Sequence, residues 1–443
     1  VTLDAAASPM RERGRPPLRI GIWCAYGKTL EPSDGIGVFA HHLAMALAED
    51  DRVGAVALVV HAGQEARVAA TVERGRGRIR TIAIGELPWL ARWRGKMLRR
   101  RHRRLSDAIA RGAAGGIERE RSRLEGAIAG LHESRAVHDR EAFAACDVWM
   151  LPHVDVERRL PAATVAVVHD MVPLHIPGVV KARDLESFRR RAQAVVTEST
   201  LVGTLSRTIR DVDIVGLLGC PMRKVRVVPP AVPDDFGAAA DLDDVRRRWP
   251  VVSRPFILYP AAFRPYKNHR ALLGAVAELR RRGDRETQVL FTGNGVIPPS
   301  LAHEIGRQDL AGRVHVLGPL DREVLARLYC EALATIVPSL YEQGSFPVLE
   351  ALHWGCPVAA SDIPALREAF AALGEAMIYF DPGKPEEIAD AIQAIASERN
   401  GVRRRQAGAF AALRARRWQD VANEWLAVFE EAVAAHAAGR RRR

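Results

Sequence analysis

Between Ala334 and Asp362 the chain reads A-T-I-V-P-S-L-Y-E-Q-G-S-F-P-V-L-E-A-L-H-W-G-C-P-V-A-A-S-D, and no other stretch restricts its fold as much. An apolar strand over Leu333 to Val337 runs into a loop carrying Glu342 and Gly344. A helix opens near Ser345 to Pro347, and a second strand begins at Pro357. Strand, crossover helix and strand again is the unit of an α/β domain. Ser345 suits an N-cap, and Pro347 suits a first turn that needs no amide donor. The loop therefore ends at a helix N-terminus whose free amides and dipole favour an anion, with phosphate the natural guest. Glu342 and Glu350 frame that position. A carboxylate can accept from both hydroxyls of a vicinal diol, so acids flanking a diphosphate pocket suit a ribose and a sugar. An ordinary strand, turn and helix with solvated glutamates fits the same residues.

The alternation recurs along the chain. A first strand over Leu18 to Cys24 is followed by D-G-I-G, Asp34 to Gly37, and by amphipathic spacing over Gly37 to Ala48. Strands are predicted over Val53 to His61, Arg78 to Ile84, Asp147 to Leu151, Ala163 to Val168 and Leu201 to Ser206, the last followed by a helix. Prolines and acids near Pro229 to Ala240 read as a linker. Beyond it come Phe256 to Pro260, Thr287 to Gly293, Arg313 to Gly318 and Ala376 to Pro382. The fold class predicted is α/β, with two Rossmann-like doubly wound domains over 1–235 and 241–416. Residues 417–443 supply a last amphipathic helix, Arg417 to Ala435, and a basic tail, Arg440 to Arg443.

In such sheets ligands sit beyond the carboxyl ends of the strands, which selects a few side chains. Gly35 and Gly37 lie after the first strand, where a tight turn is the plainer reading. His169 follows the strand over Ala163 to Val168, with His175 farther along. Arg264 and Lys267, in A-A-F-R-P-Y-K-N, are cations in a strand-to-helix loop, the place to neutralise a diphosphate. Gly293 to Gly295 and Val316 to Gly318 are candidates for holding a base.

Glu342, seven residues and Glu350, followed by G-C-P-V-A-A-S-D, resemble the E-x7-E signature of glycosyltransferase family 4, retaining enzymes of the GT-B fold. H-D-x-x-P-L at His169, V-R-V-V-P before the linker, P-Y-K-N at Lys267 and R-W-Q-D-V-A in the last helix resemble the family as well. The likeness runs from Leu18 to about Ala435. It departs from the commonest E-G-F-G-L-P by reading E-Q-G-S-F-P, which puts Ser345 where glycine is usual. The resemblance implies two domains facing a cleft, a nucleotide-sugar donor and a last helix crossing back to the first domain. It implies catalytic roles for His169, Glu342, Lys267 and Arg264, and donor contacts from Gly35, Gly37, Gly344, Ser345, Phe346 and Glu350. No cofactor or metal is implied, because the nucleotide sugar is the substrate. H-D-x-x-P-L and D-G-I-G lean toward mannosyltransferase-like relatives, GDP-mannose and a glycan or lipid-linked acceptor. A nucleotide-sugar epimerase or hydrolase of the same fold would bind its donor similarly.

Composition narrows the setting. The 443 residues are 48% hydrophobic, enough for two cores. Five cysteines, widely spaced and never in C-x-x-C, argue against a disulfide framework or structural zinc and for a reducing compartment. With no membrane-spanning run and no leader, a cytoplasmic and peripheral or soluble protein is expected. The formal charge is +12. The segment from Trp89 to Arg140, a predicted helical insertion, holds fourteen Lys/Arg against six Asp/Glu, with Trp89 and Trp93 at its start. It reads either as an anionic-membrane surface or as a solvated face. Nucleic acid is not expected, since the arginines lack interleaved stacking aromatics.

Overall fold

A computed structural model describes residues 16–24, 35–61, 63–84, 143–154, 162–233, 236–293 and 296–441, with short pieces between 97 and 124. Asp34, Gly295 and most of the basic segment from Trp89 to Arg140 lie outside the described residues. Its described pieces are helical, and there Arg101 pairs with Glu120.

The first sheet holds β1 (Leu18–Trp23), β2 (Val53–His61), β3 (Ile79–Ile84), β4 (Val148–Leu151), β5 (Ala163–Val167), β6 (Leu201–Thr204) and β7 (Val225–Val227). Its order is β3-β2-β1-β4-β5-β6-β7, and all its pairings are parallel. The second sheet holds β8 (Phe256–Pro260), β9 (Gln288–Thr292), β10 (Val314–Gly318), β11 (Ala334–Val337), β12 (Val358–Ser361) and β13 (Ile378–Phe380), in the order β10-β9-β8-β11-β12-β13. Helices cover both faces, so central strands such as β5 (A-T-V-A-V) and β9 (Q-V-L-F-T) are buried at every position. In each sheet the order reverses beside the first strand, between β1 and β4 and between β8 and β11. Loops leaving neighbouring strands there diverge and open a crevice. This is the two-domain α/β fold predicted.

The last helix, Trp418–Arg441, packs into the core of the first sheet, with Trp425, Leu426 and Phe429 fully buried beside Phe39 and Leu43. Each such side chain contributes about 1.5–3 kcal/mol relative to exposure. Trp425 lies so close to β6 that a Cβ on Gly203 would sit 2.2 Å from its ring, so only glycine fits there. The helix continues through Arg440 and Arg441, where the sequence suggests a tail. The i to i−4 ladder simply extends, and basic side chains in a last turn complement the helix dipole. Among the described residues no helix is long and apolar enough to cross a membrane.

Candidate active site

The crevice of the second sheet opens between the loops after β8 and β11. The first of these makes a short turn, Pro265–Lys267, and ends at Asn268, whose φ of 54° is left-handed. Asparagine tolerates that conformation, and its side chain fixes the turn by donating to the carbonyls of Pro338 (3.0 Å) and Pro382 (2.9 Å). The Tyr259 hydroxyl donates to the Lys267 carbonyl (2.8 Å) and lies 3.2 Å from the Ser339 hydroxyl, while the Leu340 amide donates to the Tyr266 carbonyl (2.8 Å). These bonds hold the loops side by side and bring the Lys267 ammonium into a hydrogen-bonded ion pair with Glu342. Only 19% of the Lys267 side chain and 9% of that of Glu342 are exposed. Burial works against the ammonium, but Glu342 and the nearby tyrosines outweigh it and hold Lys267 above the ordinary lysine range. Asp170, reaching this point from the first domain, is pushed up by burial and by the charges of Glu342 and Asp213, against the Val172 amide and Lys267. Arg264 stays exposed at the start of the turn.

The loop after β11 ends at the helix Phe346–His353. Ser345 occupies the N-cap position but its side chain makes no capping bond, contrary to the sequence reading. Its hydroxyl is buried without a partner, which leaves the first amides of the helix uncapped by it. Glu350 lies in the second turn and accepts from the Tyr329 hydroxyl at 2.7 Å. Burial raises its carboxyl, while Tyr329 and Arg322 act the other way. Gly344 is exposed. Gly35 opens the first-domain helix Gly35–Glu49 and faces Phe346, where an added Cβ would come within 3.3 Å of the ring, and Gly37 is buried in the same turn. Two helix N-termini, one from each domain, therefore meet here.

His169, just beyond β5, is 7% exposed and packs edge-on against Phe39. Burial and the nearby His153 lower it to about 4, with Gln343 from the second domain acting the other way. Its Nε2 has no hydrogen-bond partner among the described residues. His175 does not join it. It bonds Asp213 at 2.5 Å and stacks on Tyr341 at 4.7 Å.

Tyr341 carries the domain seam. Its hydroxyl donates to Asp213 and accepts from the Met171 amide (3.1 Å), tying the loop of Glu342 to the loop of His169. Asp213 is fully buried in a π-helix, Ile209–Leu217, a geometry frequent at functional sites. Behind it the Glu368 carboxylate crosses from the second domain to accept from the amides of Arg207 (2.6 Å) and Thr208 (2.8 Å) and from the Thr208 hydroxyl (2.7 Å). The sequence reading missed Tyr341, Asp213, Glu368, Tyr329 and Gln343. Only the helix expected after the strand over Leu201 to Ser206 pointed to this region. Among the described residues no cluster of three or more His, Cys, Asp or Glu could hold a metal ion.

Residues 254–398 match the family model described as glycosyl transferases group 1. The chain is similar to the MMP alpha-(1->4)-mannosyltransferase of Mycolicibacterium hassiacum, 34% identical over 177 residues, 39% of this chain and 42% of that relative. It is also similar to the O-antigen chain mannosyltransferase B of Escherichia coli, 25% identical over 262 residues, 57% of this chain and 68% of the relative. The match thus spans about two fifths of the length of the first of these relatives. Among solved structures, Anabaena HepE in complex with UDP and glucose superimposes with a TM-score of 0.66 at 15% identity, over 94% of this chain and 100% of that one, a likeness of fold.

Proposed function

We propose that this chain, whose second domain belongs to the glycosyl transferases group 1 family on a GT-B fold, is a hexosyltransferase. It moves a hexose, mannose favoured and GDP-mannose the favoured donor, to a glycan or lipid-linked acceptor with retention of configuration. The setting is the synthesis of a surface polysaccharide or glycolipid on the cytoplasmic side of the membrane. The observation that carries this reading is the buried Lys267–Glu342 pair at the switch point of the second sheet, facing Asp170 across the seam.

The uncapped amides at the start of the helix Phe346–His353, with Lys267 and Arg264, bind the diphosphate and stabilise charge as it leaves. Glu350, held by Tyr329, takes the ribose, and Glu342 takes sugar hydroxyls while holding Lys267 in place. The bond from the anomeric carbon to the phosphate oxygen breaks as the acceptor oxygen attacks from the same face. The acceptor's proton passes to the departing phosphate, giving the glycoside and a nucleoside diphosphate. His169, neutral near pH 7, lines the sugar without adding charge. The segment from Trp89 to Arg140 docks the enzyme on anionic lipid near its acceptor.

A thermal-shift panel of nucleotide sugars tests the reading, because a ligand of the folded state raises the melting temperature according to its concentration over its dissociation constant. GDP-mannose should give the largest shift. A panel with no shift would sink the assignment.

A further inference from the structure

His169 and Gln343 come into side-chain hydrogen-bond contact where the two domains meet, and beside that contact His169 Nε2, Gln343 Nε2 and, two residues along the loop, Ser345 Oγ are buried. None of them has a hydrogen-bond partner among the described residues. His169 and Ser345 are 7% and 4% exposed. Buried polar atoms in native proteins are nearly always bonded, so a nitrogen left over on each side of this contact asks for a partner from outside the chain. Gln343 is also the side chain that the commonest form of the motif lacks, since E-Q-G-S-F-P puts glutamine where E-G-F-G-L-P has glycine.

We infer that Gln343 is a specificity-determining residue, and that its carboxamide and the His169 imidazole, one from each domain, hold one hydroxyl of the transferred sugar between them. The inference rests on the reading of the site as a nucleotide-sugar pocket. The chemistry of the two groups selects the ligand atom. A carboxamide nitrogen only donates, whereas a neutral imidazole keeps one nitrogen as an acceptor. A hydroxyl can accept from the first while donating to the second, and a phosphate oxygen has no proton to give. His169 remains neutral at working pH because burial holds it near 4. The position of Gln343 is fixed from both sides. Glu342 before it is paired with Lys267, Tyr341 is bonded to Asp213 and Met171, and Ser345 after it is buried at the helix start. A donor left unused at a position flanked so firmly discriminates strongly, because an analogue without the hydroxyl leaves the same atoms unpaired.

The test is isothermal titration of the wild type, Gln343→Ala and Gln343→Glu with GDP-mannose and UDP-glucose, each against its sugar-free nucleotide, GDP or UDP. Gln343→Glu keeps the shape of the side chain and removes its N–H donors, and melting temperatures taken alongside report folding. Both variants should lose tenfold or more in affinity for the nucleotide sugar that the wild type prefers, and stay within twofold for the bare nucleotide. Single deoxy analogues of that sugar should include one that the wild type rejects by tenfold and Gln343→Ala does not. Unchanged affinity for the nucleotide sugar, or an equal loss for sugar and bare nucleotide, overturns the role of Gln343 alone. A wild type that binds neither nucleotide nor nucleotide sugar overturns the reading of the pocket together with it.

Discussion

Replacing Tyr341 with phenylalanine removes one oxygen from the seam and leaves the ring on His175. That oxygen donates to the fully buried Asp213 and accepts from the Met171 amide. A hydrogen bond to a charged group contributes about 1.5–3 kcal/mol, and an amide left unpaired costs about 1–3 kcal/mol unless water reaches it. Asp213 keeps His175 at 2.5 Å, so part of its need is still met. We therefore expect the closed seam to weaken by about 2 kcal/mol, a factor of roughly 30 in the population of that arrangement. On the proposed function Lys267, Glu350 and the amides at the start of the helix Phe346–His353 hold the nucleotide, and all belong to the second domain, so binding of free nucleotide should stay within twofold. On the same proposal kcat should fall at least tenfold, because the loop of His169 is no longer held in register with the second domain. Steady-state kinetics and nucleotide titration on Tyr341→Phe decide the matter. Wild-type kcat would refute the argument, and so would a loss of nucleotide affinity as large as the loss of turnover.

Lys267→Ala should lower kcat by roughly 100- to 1,000-fold if the ammonium acts like a lost oxyanion donor, and a variant with normal kcat reduces the pair to a structural one. Glu350→Ala should weaken binding of the nucleoside diphosphate in titration, and unchanged affinity would remove the ribose contact. His169 and His269 are both held near 4 by burial against 6.5 when unfolded, so the unfolded chain takes up their protons first. Their contribution is complete above pH 6.5 and is lost as pH falls toward 4, about 2.5 kcal/mol each by pH 4.5, readable in urea unfolding at pH 7 and 4.5. A profile no steeper than that of His269→Asn would count against the histidines. Vesicles rich in phosphatidylglycerol should pull down the wild type more than a variant with Arg99, Arg100, Arg101, Arg103 and Arg104 changed to Gln, with neutral vesicles and duplex DNA as controls. Equal sedimentation of the two proteins ends the membrane reading.

The sheets were legible because parallel strands buried on both faces leave an apolar run, as in Ala163–Val167; the strand ends moved by one or two residues, and the three-residue edge strand Val225–Val227 was not read as a strand. The π-helix was not. Its wider turn leaves no periodic mark in I-R-D-V-D-I-V-G-L, and the bonds that hold it come from Glu368, Tyr341 and His175. The loops that carry Lys267 and Glu342 stood out by motif, yet their pairing needs residues 75 positions apart to meet. Tyr341 meets Met171 across 170 positions and Asp213 across 128, and no local pattern encodes either contact. Ser345 shows the reverse case. Its place at the helix start follows from local chemistry, but its hydroxyl makes no bond to the amides and is buried without a partner among the described residues.

The last helix also sets the order in which the protein can be completed on the ribosome. The core of the second sheet draws on residues from Val232 to Phe410 and can close as soon as that stretch has emerged. The core of the first sheet includes Trp418, Trp425 and Phe429, so its apolar face around Phe39 and Leu43 stays open after β7 is made. Synthesis of the intervening stretch, about two hundred residues, occupies roughly 10–40 s at ordinary elongation rates. During that interval the nascent chain presents an unfilled slot shaped for Trp425 against Gly203. The domain translated first is therefore the one that finishes folding last.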